Sequence, residues 1–106
     1  MADKKIKVSA VILAKNEEET IEEVVREAKK YADEVLVVDG HSQDRTREKA
    51  EQAGARVVLD NGLGKGNGYK VGLEQARGEV VVFLDADGSH HPKDIPRLAE
   101  PIVKDE

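Results

Sequence analysis

Two aspartates one residue apart, Asp85 and Asp87, follow five consecutive apolar residues, Val80 to Leu84, and precede Gly88. An apolar run of that length predicts a strand buried on both faces. Side chains two residues apart on an extended backbone point the same way. The two carboxylates are therefore forced together at the C-terminal end of the strand. Like charges so placed repel unless a cation joins them, and a hard cation such as Mg2+ or Mn2+ suits carboxylate oxygens together with a substrate diphosphate. The competing reading is a turn or a helix cap, because Asp and Gly favour strand ends for local reasons.

Two further acidic sites close earlier apolar runs: Asn16-Glu17 and Asp39. The stretch Gly62-Leu63-Gly64-Lys65-Gly66 sets one lysine among glycines, where backbone N–H groups can bind anions. Its spacing is not the GxxxxGK[ST] phosphate loop. It is not the dinucleotide fingerprint either, since Asn67 stands where the third glycine belongs. His41, His90 and His91 read as exposed loop residues, and the adjacent His90 and His91 would face apart in an extended segment. Asp44 reads as a first-turn helix residue and Asp60 as part of a turn. The charges Glu22, Glu23, Arg26, Glu27, Lys29 and Lys30 read as one solvated helix face.

The elements that must hold these groups alternate. Val8 to Ala14 reads as the first strand. Asn16 and Glu19 then resemble a capping box, and Ile21, Val24, Val25 and Ala28 form one apolar stripe of a helix. Val35 to Val38 is a second strand ending at Asp39. Ser42 is placed to cap a second helix that stops at Gly54. Arg56 to Leu59 is the third strand. A glycine-rich stretch leads into a third helix carrying Tyr69, Leu73 and Ala76 and ending at Gly78. The fourth strand is Val80 to Leu84, and Pro92 opens a last helix with Ile95, Leu98, Ala99 and Ile102 on its buried side. Four β–α pairs with short links predict a Rossmann-like, three-layer α/β/α domain with a four-stranded parallel sheet. The expected strand order is 3-2-1-4. All three acidic sites would then lie at C-terminal strand ends, beside the topological switch point where such sheets bind ligands. In that order the fourth strand is an edge, apolar and without a protective Lys or Pro, which predicts pairing with a second copy of the chain.

Bulk composition bounds the function. At 106 residues the chain is one domain, spanning residues 1–106. Its formal net charge of −5 argues against a nucleic-acid partner. It has no cysteine, so neither a disulfide framework nor thiolate chemistry is available. The charged segment Met1 to Lys7 lacks the apolar core of a secretory signal, and no stretch approaches the ~20 apolar residues of a membrane span. The expectation is a cytoplasmic protein.

Four motifs together carry a family resemblance: Val11-Ile12-Leu13-Ala14-Lys15-Asn16-Glu17; Val37-Val38-Asp39-Gly40-His41-Ser42-Gln43-Asp44; Gly64-Lys65-Gly66 through Gly72, Ala76 and Gly78; and Asp85-Ala86-Asp87-Gly88-Ser89-His90-His91-Pro92. In order and spacing they resemble the N-terminal half of the family 2 inverting glycosyltransferases of GT-A fold. Within that family the chain is most similar to the dolichol-phosphate (polyprenyl-phosphate) mannosyl- and glucosyltransferases. The resemblance runs from Val8 to about Val103. It implies a nucleotide-diphosphate sugar of GDP-mannose or UDP-glucose type, touched by Leu13, Ala14, Lys15, Glu17, Val38, Asp39, Lys65, Asp85 and Ala86. Glu17 and Asp39 would hold base and ribose, with Lys65 near base or phosphates. Asp85 and Asp87, with Ser89 as a third ligand, would bind Mg2+ or Mn2+. Leu13 and Lys15 depart from the family's opening motif and Gly40 from its second, which leaves uridine and guanosine both open. Family members are longer, so the resemblance implies a donor-binding half. A polyprenyl-phosphate acceptor, any membrane-peripheral contact and the catalytic base would belong to the other half, leaving this chain inactive alone.

Two other classes share parts of the pattern. A haloacid-dehalogenase-type phosphatase also places Asp-x-Asp-Gly after an apolar strand, with Asp85 as nucleophile, but that motif normally opens its fold. A nucleotide-binding or self-associating module without chemistry would need only the binding groups.

Overall fold

The computed structural model describes residues 6–62 and 65–86, the side chains of residues 65 and 66 excepted. Seven elements alternate along the chain: β1 (Val8–Ala14), α1 (Ile21–Ala28), β2 (Glu34–Asp39), α2 (Thr46–Gln52), β3 (Arg56–Leu59), α3 (Lys65–Gln75) and β4 (Val80–Asp85). The four strands form one parallel sheet in the order β3-β2-β1-β4, as expected. Asp87, Ser89, His90, His91 and the helix read after Pro92 lie outside the described residues.

Alternation along the central strands builds two cores. Ala10, Ile12 and Ala14 of β1, Val35 and Val37 of β2, and Val82 and Leu84 of β4 face α1 and α2, meeting Ile21, Val24, Val25, Ala28 and Ala50. Val11, Leu36, Val38 and Val81 face the other way, toward Ala76 of α3. Burying each Val, Leu or Ile among these contributes about 1.5–3 kcal/mol. The apolar runs in the sequence are thus strands covered on both faces.

Two local expectations are corrected. The capping box is not formed: Thr20, not Asn16, precedes α1, and Asn16 adopts a left-handed φ of 55°. A turn closed by Thr20 N–H and Ile21 N–H on Glu17 O, at 3.1 and 2.9 Å, fills the gap. Ser42 does not cap α2, which begins at Thr46; its hydroxyl is taken by Asp39 instead. On α3, Tyr69 and Leu73 are 44% and 40% exposed. The helix meets the sheet through Gly68, Gly72 and Ala76, spaced four apart on one face. A Cβ at Gly72 would lie 2.6 Å from Val11 Cγ1, so only a glycine lets the helix sit this close. Tyr69 instead lies edge-on to Phe83 of β4, ring centroids 5.0 Å apart.

The N-terminal end of the sheet is closed by polar groups remote from the acidic strand ends. Glu34 accepts from Ser9 Oγ at 2.6 Å, from Arg77 N–H at 2.9 Å and from Arg56 Nη2 at 3.0 Å. Burial alone would push its carboxyl up, but these donors outweigh burial and hold it below the ordinary range. Ser9 Oγ also accepts from Gly78 N–H at 2.8 Å, which ties the turn before β4 to β1.

Candidate functional site

Parallel pairing carries four strand ends to one rim. Leu13 stands level with Asp85 on one side and Val38 on the other, Ala14 with Asp39, and Asp39 with Leu59. The ladder runs one step further: Gly40 N–H donates to Ala14 O at 2.8 Å, Asp60 N–H to Asp39 O at 3.1 Å and Ala86 N–H to Leu13 O at 3.1 Å. Asp60, Gly40 and Lys15 are therefore level across the rim, with Ala86 level with Ala14 beside them. A crevice of about 320 Å³ opens over it. β1 and the residues after it contribute Leu13, Ala14, Lys15 and Glu17, β2 and its end Val38 and Gly40, and β4 and its end Asp85 and Ala86. Asp60 and Gly62 close the β3 end, and Gly68 of α3 forms part of the wall.

A belt of hydrogen bonds holds the three loops of this rim together. Asn16 N–H donates to Ser42 Oγ at 2.7 Å, Glu17 N–H to Thr46 Oγ1 at 2.8 Å and Glu18 N–H to Asp44 Oδ2 at 3.2 Å. Gln43 N–H returns to Asn16 Oδ1 at 2.8 Å. Thr20 Oγ1 donates to Ala86 O at 2.6 Å and fixes the end of β4. Asp44, expected within the second helix, precedes it and accepts from both the amide and the hydroxyl of Thr46. Partial desolvation would raise its carboxyl, but donation from Thr46 and from Glu18 N–H holds it below its ordinary value. Backbone amides after a strand would otherwise lack partners, and neighbouring loops here satisfy them with Ser, Thr and Asp side chains.

Asp39 lies at the centre of the belt and not in the crevice wall. Its carboxylate is fully buried. Oδ1 accepts from Ser42 Oγ at 2.6 Å, while Oδ2 accepts from Ser42 N–H and from Arg47 Nη1, both at 2.7 Å. Three donors of the protein itself thus engage the carboxylate to which the resemblance assigned base or ribose. Leu13, Ala14, Lys15, Glu17, Val38, Asp85 and Ala86 are brought together around one space. Lys65 opens α3, its side chain outside the description, and Asp87 and Ser89 lie beyond it. Among the described residues no group of three His, Asp or Glu gathers to hold a metal ion. Asp85 does bring hard carboxylate oxygens to the crevice, the donor type Mg2+ and Mn2+ take.

Gly40, Asp60, Gly62 and Gly68 were missed as lining residues. The three glycines leave no side chain to read, and Asp60 carries only a turn signal in sequence. It becomes a site residue because β3 pairs with β2 and ends level with Asp39.

The sequence profile of Glycosyl transferase family 2 matches residues 9–106. This chain belongs to that family. Among relatives of the family 2 domain, glycosyltransferase AglJ of Haloferax volcanii is 40% identical over 94 residues, covering 84% of this chain and 30% of that protein. The undecaprenyl-phosphate 4-deoxy-4-formamido-L-arabinose transferase of Pseudomonas fluorescens is 36% identical over 106 residues, covering 88% and 31%. Glucosyl-3-phosphoglycerate synthase of Mycobacterium tuberculosis, solved with UDP, superposes with a TM-score of 0.80 at 35% identity, over 91% of this chain and 39% of that one. The same enzyme has been solved with Mn2+, UDP and glucosyl-3-phosphoglycerate, and with Mg2+ and UDP. The family 2 chain thus spans about a third of the length of the relatives it matches, and the resemblance read in the four motifs holds.

Proposed function

We propose that this family 2 domain binds a nucleotide-diphosphate sugar of GDP-mannose or UDP-glucose type, for transfer of the sugar to a polyprenyl-phosphate acceptor. The observation that carries the reading is the crevice over the C-terminal ends of the strands, with Asp85 at its β4 side and Glu17 and Lys15 between. Open parallel sheets bind ligands at this position, beside the switch point. Asp85, with Asp87 and Ser89 following it, would hold Mg2+ or Mn2+. The bound cation supplies charge neutralisation to the departing nucleoside diphosphate. Lys15, exposed at the rim, offers a mobile cation to the phosphates. Leu13 and Val38 give the apolar floor that a base or sugar ring covers, and Ala14 and Ala86 border it.

The acceptor site and the catalytic base are assigned to protein outside this span, which covers 30% and 31% of the two named transferases. The domain on its own binds donor without turnover. A polyprenyl-phosphate acceptor fits a cytoplasmic protein peripheral to a membrane. No helix among the described residues is long and apolar enough to cross one.

Titration calorimetry with UDP and with GDP, each with and without Mn2+, tests the reading on the purified chain, on Asp85→Ala and on Asp87→Ala. Binding is expected to need the metal and to be lost in both variants. Metal-independent binding, or binding unchanged in the variants, would remove the assignment.

The chain is also proposed to pair with a second copy along β4. That strand ends the sheet among the described residues, and Phe83 with Tyr69 adds apolar surface beside it. A long apolar edge invites strand addition. Sedimentation equilibrium is expected to show a concentration-dependent dimer that Phe83→Lys weakens, whereas a pure monomer at the highest loading would exclude it.

A further inference from the structure

We infer that Asp60 reads the nucleobase, and that the base it accepts is one presenting a protonated ring nitrogen, the N–H edge shared by guanine and uracil. The inference rests on the nucleotide-binding reading above and adds a residue to it that none of the four motifs supplies.

The Asp60 side chain is 11% exposed and borders the crevice. One of its oxygens is committed to the protein. Oδ1 accepts from Gly62 N–H at 2.8 Å and lies 3.4 Å from His41 Nε2. The same His41 nitrogen lies 2.9 Å from Asp60 O. A carbonyl only accepts, so that nitrogen carries the proton. His41 reaches this position through a left-handed φ of 64°, and Gly62 through one of 75°. The carboxylate is thus clamped from two directions. Its other oxygen is not: no group among the described residues donates to Oδ2.

Two glycines keep that oxygen reachable. A Cβ at Gly40 would lie 3.5 Å from Asp60 Oδ2 and one at Gly68 3.9 Å from it. Both glycines line the crevice. A side chain at either would stand over Oδ2; their absence leaves it facing the ligand space.

The position along the rim decides what meets it. Asp60 directly follows β3 and Asp85 ends β4, with β2 and β1 between. At about 4.8 Å per strand the two carboxylates are roughly 14 Å apart along the rim. A nucleotide whose phosphates lie at the Asp85 side reaches Asp60 with its base. Phosphate itself is excluded from the β3 end, since an ionised carboxylate only accepts hydrogen bonds and repels anions. A ring N–H of guanine or uracil gives Oδ2 a donor. The matching ring nitrogens of adenine and cytosine carry a lone pair and would meet the oxygen lone pair to lone pair. A site built around a hydrogen bond rejects analogues that cannot make it far better than an apolar pocket rejects a size change.

The test is Mn2+-dependent affinity for GDP, UDP, ADP, CDP and inorganic pyrophosphate, on the chain and on Asp60→Asn. Asparagine keeps an acceptor for Gly62 N–H, and unchanged pyrophosphate affinity reports an intact fold and phosphate site. The expected result is a preference of the parent chain for GDP or UDP over ADP and CDP, with roughly 10–100-fold of the preferred nucleotide's affinity lost in Asp60→Asn, the size of one hydrogen bond to a charged group. The base preference should collapse in the variant while pyrophosphate binding stays level. An unchanged preference, or an equal loss for all four nucleotides, overturns the role of Asp60. Failure of the parent chain to bind any nucleotide with metal overturns the underlying reading instead.

Discussion

Replacing Arg47 by alanine is expected to cost folding stability near the lower end of the ~3–5 kcal/mol typical for breaking a buried ion pair. The asymmetry of the pair sets the number. The Asp39 carboxylate is fully buried, whereas the Arg47 side chain is 43% exposed. Removing the arginine leaves an anion with the two Ser42 donors as its remaining partners and no counter-charge. Water admitted through the exposed side offsets part of that loss. Asp39→Asn should cost less, because the amide keeps the shape and Arg47 can turn to solvent. The double variant Arg47→Ala with Asp39→Asn should then be more stable than Arg47→Ala alone, a non-additivity that a merely additive pair of lesions would not give. Urea midpoints on the four proteins measure the cycle. An Arg47→Ala cost below about 0.5 kcal/mol, the range of an ordinary surface substitution, would show that Asp39 does not depend on its partner. A functional consequence follows from the belt. Asp39 holds Ser42, and Ser42 Oγ receives Asn16 N–H. Releasing the pair therefore loosens Lys15 and Glu17, and donor affinity should fall in Arg47→Ala although Arg47 does not line the crevice.

The same belt marks the boundary of what the sequence could tell. Strands and their order were readable because each is a short apolar run and parallel sheets with both faces covered need such runs. Val80 to Leu84 and Val35 to Val38 are short and rich in β-branched valine, which favours such strands. Asn16 and Ser42 were misread because their side chains have two competing employments, capping the next helix or bonding a neighbouring loop. Local spacing favours the first. The second wins because parallel pairing of β1 with β2 sets the two loops side by side, a juxtaposition that no window of local sequence contains. The packing face of α3 was not readable for a related reason. Helical spacing finds the large apolar stripe, but α3 packs by its smallest face, and glycine has no hydropathy to betray that face. Asp60 is the extreme case: its neighbours in the crevice, Gly40 and Gly68, are residues without side chains.

Gly78→Ala is expected to destabilise the fold by about 3 kcal/mol, the upper part of the overpacking range. Its Cβ would lie 2.6 Å from Ser9 Oγ, 2.7 Å from Ser9 N and 3.1 Å from Val8 C. Two of those three contacts are backbone atoms of β1. That strand is paired on both sides, with β2 and with β4, so it cannot retreat without opening two ladders. Moving the turn instead breaks the Gly78 N–H bond to Ser9 Oγ and disturbs the Glu34 carboxylate that Ser9 and Arg77 share. Gly72→Ala makes the informative contrast. Its nearest contact, 2.6 Å, is a side-chain methyl of Val11, followed by Phe83 Cε1 at 3.2 Å. Val11 is stiff at χ1, but Phe83 is only partly buried and α3 can lift slightly, so the cost should stay nearer 1–2 kcal/mol. The ranking follows from which atoms must move, and it holds whatever the absolute stability of the domain. Chemical denaturation of the two variants beside the parent chain measures it. A Gly78→Ala midpoint equal to or above that of Gly72→Ala would mean that the turn before β4 is not pinned to β1 as described.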